Sequence, residues 1–409
     1  MRSLAVVREL VPVPTSGGEV RVHHLVRTLA ELGEVDVVRL RSWWDDDDVR
    51  DLDGMWDGVR IISPRARKVP SWRGHARWLL SPGLPSTLGF MDRAVIRESL
   101  VGWARPEYDA VLFDPAAAWY GLGGVVGAPE IVDLDDLKDV VTARGVAVGG
   151  SLPSGAVGDA PRWRSAVRMS RIRRDAIRWR RYQDLVAERV RSVLVASEID
   201  QRRVGYPNAV VVPNGYDLRT PPVGRLGVGS PPTFAFPGTM RYGPNEDGAE
   251  FLVREVVPVL RELLPDAQVI IAGDASDRVK DLAAPPIVTV TGRVDRMEDV
   301  LARIDAVVVP LRVGGGTRIK IIEAWAHGIP VVSTSVGAEG LEAESGRDLL
   351  IADDPRGLAR ACVDVVADQG LRQRLIEAGR VRASGLTWTA SRNKLRQVVL
   401  STVGRAGPS

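Results

Sequence analysis

The residues best suited to chemistry lie between Val309 and Leu341, in the run VPLRVGGGTRIKIIEAWAHGIPVVSTSVGAEGL. The pattern predicts a strand ending at Pro310, a flexible loop at Gly314, Gly315 and Gly316, and a helix from Thr317 to Gly328. Three glycines let a ligand approach the backbone closely, and a helix N-terminus favours an anion such as phosphate. Lys320, one turn inside, adds a full positive charge. Lys320, Glu323 and His327 fall at i, i+3 and i+7 and share a face, with Ile319, Ile322 and Ala326 on another. Glu323 is then an acceptor suited to a pair of sugar hydroxyls. The same spacing also describes a plain amphipathic helix carrying an intrahelical Lys–Glu pair.

Such a site needs a scaffold, and the chain is long enough for two. At roughly 100–200 residues per domain, 409 residues predict two or three domains. Apolar, β-branched runs at 3–8, 35–40, 109–113, 130–134 and 192–196 read as buried parallel strands, with helices at 19–32 and 168–190. A Pro/Gly-rich stretch over 218–232 reads as a linker. Strands then recur at 233–236, 268–272, 287–291, 305–309, 330–334 and 348–351. Helices are expected at 245–264, 296–303, 318–327, 355–368 and 371–382. This alternation implies α/β architecture with two Rossmann-like, doubly wound domains, 1–213 and 233–388, joined by a hinge at 214–232. A last helix, 389–409, is expected to return to the first domain. Two such domains place their ligand crevices at the carboxyl ends of the strands, across a shared cleft.

Composition narrows the class. The mix of 45% hydrophobic and 26% charged residues excludes disorder and coiled coil. One cysteine, Cys362, excludes an internal disulfide or a cysteine metal cluster and fits a reducing compartment. No apolar run reaches bilayer length, and the apolar start breaks at Arg8 and Glu9, unlike a signal peptide. A soluble cytoplasmic protein is expected. The net charge of +3 means little, because only five of the 55 basic residues are lysines; that bias makes Lys320 stand out.

Several motifs together resemble the GT-B glycosyltransferases, especially the family 4 type, over nearly the whole chain. Glu323-Ala-Trp-Ala-His-Gly-Ile-Pro-Val-Val is similar to the second half of that family's donor motif. Gly17-Gly18 is similar to its N-terminal glycine pair, and Pro213-Asn214-Gly215-Tyr216-Asp217 to its hinge. Phe236-Pro237-Gly238-Thr239-Met240 resembles the first strand and loop of its C-terminal domain. Gly292-Arg293-Val294 resembles the loop beside the nucleobase. Position 315, where the family carries a first glutamate, is glycine. The Arg–Lys pair of the loop at 238–246 is reduced to Arg241, and Lys320 is expected to supply the missing charge.

The resemblance implies transfer of a sugar from a nucleotide diphosphate donor, without a metal and with retention at the anomeric carbon. Arg241, Lys320 and Glu323 are the expected catalytic residues. Gly17, Gly18, Gly238, Thr239, Arg293, Gly314, Gly315, Gly316, Thr317 and Glu323 are expected to hold the donor, with Glu323 on the ribose. No resident cofactor is implied; uracil is the favoured base, with guanine and thymine open. Acceptors to consider are a natural-product scaffold, a saccharide or a lipid-linked sugar, and nucleic acid is not an expected partner.

Other polar groups compete for roles. Asp133 and Asp135 end a strand and could take acceptor hydroxyls, a structural role being equally compatible; His23 and His24 on the first helix are further acceptor candidates. Asp45–Asp48 reads better as a solvated loop than as a metal site, and no histidine pair has zinc spacing. Residues 162–191 carry eleven arginines, a stretch that suits peripheral contact with a membrane or a plain solvated helix. Two rival functions share the fold: a sugar-nucleotide epimerase or pseudo-glycosyltransferase, and an inactive GT-B binding module.

Overall fold

The structure, a computed structural model, describes residues 1–8, 10–41, 58–147, 162–218, 221–225 and 227–404. It divides into two compact units. The first comprises 1–142, 170–213 and 391–409, the second 143–169 and 214–390.

The first unit is built on seven parallel strands. These are β1 (Arg2–Val7), β2 (Glu34–Arg39), β3 (Val59–Ile62), β4 (Ala110–Asp114), β5 (Glu130–Leu134), β6 (Ser192–Val195) and β7 (Ala209–Val211). Their order is β3-β2-β1-β4-β5-β6-β7, so the winding reverses between β1 and β4. Both faces of the sheet are covered, which is why the strands read as continuous apolar runs. Leu4 and Val6 enter one core and Ala5 and Val7 the other, as the two-residue period of a strand requires.

Helix α1 (Gly17–Leu32) starts at Ser16, whose side chain accepts from the Glu19 N–H while Glu19 accepts from the Ser16 N–H, a reciprocal cap. Its stripe of Val22, Leu25, Val26 and Leu29 lies on the sheet. Helix α2 (Ser71–Leu80) and, from Ser170 onward, the long α3 (Arg162–Arg189) also contribute to this unit. Strands β3 and β7 and helix α2 were not among the expected elements. The first two are short, and α2 buries only Gly74 and Trp78. The Asp45–Asp48 run lies outside the described residues.

The second unit has six parallel strands, β8 (Thr233–Pro237), β9 (Gln268–Ala272), β10 (Val288–Gly292), β11 (Ala306–Val309), β12 (Val331–Ser333) and β13 (Leu350–Ile351). Their order is β10-β9-β8-β11-β12-β13, with the reversal between β8 and β11. Helices α4 (Gly243–Phe251), α5 (Ile319–Ala326) and α6 (Gln369–Gly385) are the ones that bear on the site. The expected linker is laid onto this unit. The buried Asp305 carboxylate accepts from the N–H groups of Gly229 and Thr233, and Arg372 donates to the carbonyls of Asp305 and Arg225. A buried carboxylate requires such donors, and the Pro/Gly stretch supplies them.

Helix α7 (Trp388–Gly404) belongs to the first unit from Ser391 onward. Leu395, Val398 and Val399 join the α1 side of its core, and Arg392 and Arg396 pair with Glu31. No helix among the described residues is long and apolar enough to cross a membrane.

Candidate active site

The site is assembled in the second unit, where the loops after β8 and β11 leave the sheet side by side. After β8 the chain turns through Gly238, at φ +144°. A Cβ there would lie 2.7 Å from Lys320 Nζ and 3.1 Å from Asn245 Nδ2. Glycine is therefore favoured by the backbone angle, and any larger residue would push the lysine off it. Lys320 Nζ donates to Asn245 Oδ1 at 2.9 Å and stands 4.3 Å from the centre of the Phe236 ring. The β8 strand, the start of α4 and α5 thus meet at one ammonium group.

The Gly314–Gly316 loop is buried rather than open as its sequence suggested. Arg318, the residue before α5, folds its guanidinium back to donate to the carbonyls of Gly315 and Gly316. Sequence spacing did not single out Arg318. Two polar atoms in this curl, Thr317 Oγ1 and Arg318 Nε, are buried without a hydrogen-bond partner. Buried polar atoms are rarely left so, and both sit where α5 presents its N-terminus.

Electrostatics sharpen the picture. Burial, helped by neighbouring Arg318, pushes the Lys320 ammonium down to about 7, against the opposing pull of Glu323. Burial and the Glu298 charge push the Glu323 carboxyl up to about 7, opposed by a hydrogen bond from Tyr216 and by Lys320. The two groups share a helix face without forming an ion pair, since Lys320 turns to Asn245. Tyr216, from the Pro213–Asp217 motif, also lies 3.0 Å from His327 Nε2. His327 Nδ1 is buried without a hydrogen-bond partner. Burial lowers the His327 pKa, which favours the neutral ring. Tyr216 is a site residue that sequence spacing could not reveal, because it is 111 positions from His327.

The α5 helix is held from behind by Trp325, which is 1% exposed and donates to the Asp348 carbonyl at 3.0 Å. Gly379 of α6 makes room for it, and a Cβ there would fall 2.4 Å from the indole. We expect Gly379→Ala to destabilise the fold by about 1–3 kcal/mol through overpacking, despite alanine's better helix propensity. Thermal melts read this as a Tm several degrees lower.

Other expected residues lie elsewhere. Thr239 and Gly238 are half-buried beside Lys320, and Arg293 is exposed on the loop after β10. Arg241 points to solvent and pairs with Asp274 at 2.8 Å. Gly17 and Gly18 form the first turn of α1 in the other unit. The acceptor candidates His23 and His24 lie further along the same helix, and their rings meet edge to face at 5.6 Å.

Asp133 has no face open to a ligand. It is 0% exposed, and both its oxygens are taken by Arg21, at 2.6 and 2.7 Å; its role is structural. Asp135, 25% exposed, stands 3.7 Å from the same guanidinium. The arginine-rich α3 is not simply a solvated helix. Arg178 donates to the carbonyls of Trp78, Ser81 and Leu84, and Arg180 to those of Arg203 and Val204. Among the described residues no three His, Cys, Asp or Glu side chains are grouped to hold a metal ion.

Residues 231–368 match the model of the glycosyl transferases group 1 family. The lipopolysaccharide core biosynthesis glycosyltransferase LpsE of Rhizobium meliloti is 44% identical over 61 residues, which are 14% of this chain and 18% of that protein. Such a match spans under a fifth of the relative's length. Among solved structures, sucrose-phosphate synthase from Thermosynechococcus elongatus superposes with a TM-score of 0.67 at 18% identity, over 99% of this chain and 100% of the other. Anabaena Alr3699/HepE in complex with UDP-glucose gives 0.62 at 14% identity, over 98% and 99%. Residues 231–368, which hold Lys320, Glu323 and the glycine loop, are a group 1 glycosyltransferase domain, and the chain that carries them has the GT-B fold.

Proposed function

We propose that this protein transfers a sugar from a nucleoside diphosphate sugar, a UDP-sugar in the first instance, to a natural-product, saccharide or lipid-linked acceptor. The observation that carries the reading is Lys320 Nζ held over Gly238 by Asn245, with the orphaned Thr317 Oγ1 at the start of the same loop–helix segment. That arrangement forms a diphosphate cradle. The UDP-glucose bound by Anabaena Alr3699/HepE supports the choice of base. Family membership and the single buried cysteine fit a cytoplasmic enzyme.

In this reading the bond from the anomeric carbon to the β-phosphate oxygen breaks while a new bond forms from that carbon to the acceptor oxygen. The acceptor proton passes to the departing phosphate, on the same face, giving retention. Negative charge grows on the diphosphate, and Lys320 with Arg318 meets it from preset positions. These cations supply the neutralisation a divalent ion would give. Arg241 joins by exchanging Asp274 for phosphate, which costs little because the pair is exposed. Glu323, oriented by Tyr216, accepts from the ribose hydroxyls.

Binding should peak near pH 7. Above 7 the free protein has lost the Lys320 proton, so the diphosphate must bring one in, and affinity falls by up to about tenfold per unit. Below 7 Glu323 is protonated and no longer a full acceptor. Calorimetric titration with UDP-sugar should give both arms, and Glu323→Gln should remove the acid one. A flat profile would count against these two roles.

The direct test is turnover: nucleotide release from a panel of NDP-sugars, with and without acceptors. Release that requires an acceptor supports a transferase. Interconversion of the donor alone would establish an epimerase instead, and neither binding nor turnover would leave an inactive GT-B module.

A further inference from the structure

Helix α2 is amphipathic in the wrong sense for a soluble protein. It is anchored to its unit through Gly74 and Trp78, while Trp72, Leu79 and Leu80 are 67%, 66% and 83% exposed. At 100° per residue, Trp72, Ala76, Leu79 and Leu80 make one continuous apolar arc on the outward side. Arg73 and Arg77 flank that arc.

The anchorage is firm. Asp175 of α3 accepts from Trp78 Nε1 at 3.2 Å and from the Ser86 N–H at 2.9 Å. Arg178 lies 4.2 Å over the Trp78 ring and caps the carbonyl end of α2. The apolar arc is therefore presented by a fixed helix.

Charge identifies the occupant. From Arg65 to Met91 the sequence holds Arg65, Arg67, Lys68, Arg73 and Arg77 and not one carboxylate. Arg171 of α3 adds a further exposed guanidinium beside Trp78. Arg73, Arg77 and Arg171 have no carboxylate partner among the described residues. A second copy of this chain, docked by symmetry through the same face, would set these cations against each other. An anionic bilayer takes both features at once: indole and leucine side chains enter the headgroup boundary while the arginines meet lipid phosphates.

We propose that α2 is a membrane-docking surface that seats the first unit on anionic lipid. This places the contact on α2, with α3 as its support, and is independent of the donor chemistry.

Co-sedimentation of the full chain with vesicles tests it. The protein should pellet with phosphatidylcholine vesicles containing phosphatidylglycerol, less with phosphatidylcholine alone, and less as salt rises. Arg73→Gln with Arg77→Gln should weaken binding by about fivefold per charge. Trp72→Ser, Leu79→Ser and Leu80→Ser combined should abolish it, with Tm unchanged because these side chains are exposed. Failure to pellet with anionic vesicles would overturn the proposal, as would binding indifferent to both sets of substitutions. A concentration-dependent dimer that the triple variant abolishes would assign the face to a second copy and overturn it equally.

Discussion

Lys320→Ala is expected to lower turnover by about a hundred- to a thousandfold, with a smaller effect on donor KM. The ammonium group sits over Gly238, fixed by Asn245, so it needs no reorganisation as charge builds on the leaving diphosphate. An interaction that strengthens as the bond breaks appears in kcat rather than in ground-state binding. Thermal stability should hold or rise, because the variant removes a cation that burial already penalises. Initial rates on purified protein, beside a melt, check both statements. Turnover within a few-fold of wild type would remove Lys320 from the mechanism.

The second large effect concerns the fold of the other unit. Arg21 is 1% exposed and Asp133 0%, and the guanidinium also donates to the Val212 carbonyl at 2.9 Å. One side chain thereby ties α1 to β5 and to the segment after β7. Burial alone would lower the Arg21 pKa, but Asp133 and then Asp135 raise it well above its ordinary value, so the guanidinium stays charged. Asp133→Ala strands a buried cation and should destabilise by about 3–5 kcal/mol. Arg21→Met should do the same to the carboxylate. Combined with Asp133→Leu, it should cost much less than the sum of the single changes, since no uncompensated charge is left. Denaturant unfolding of the three variants measures that coupling. Additive losses would show that the two residues act separately.

The parts of this molecule legible in the sequence were those with a local signal. The parallel strands showed as short Val/Ile/Leu runs because both their faces are buried. Lys320, Glu323 and the glycine loop showed because their spacing lies within one loop–helix unit. Asn245 did not show, and Phe236 and Tyr216 showed only as members of motifs, because they reach that unit across 75 or more positions and no periodicity links them. Arg318 was passed over as one more arginine in an arginine-rich chain, and its back-folding onto the loop is a tertiary choice. Asp133 read as an open carboxylate at a strand end because its partner, Arg21, is 112 residues away. Helix α2 was missed because its apolar residues face outward, so the usual core signal is inverted.

The account rests on the diphosphate cradle of the second unit, and one measurement addresses it directly: thermal unfolding with UDP, GDP, dTDP and ADP, the free bases serving as controls. A ligand at a hundred times its dissociation constant stabilises by about 2.7 kcal/mol. The account predicts a clear rise in Tm with UDP, none with uracil, and loss of most of that rise in Lys320→Ala. No shift with any diphosphate at millimolar concentration would contradict it.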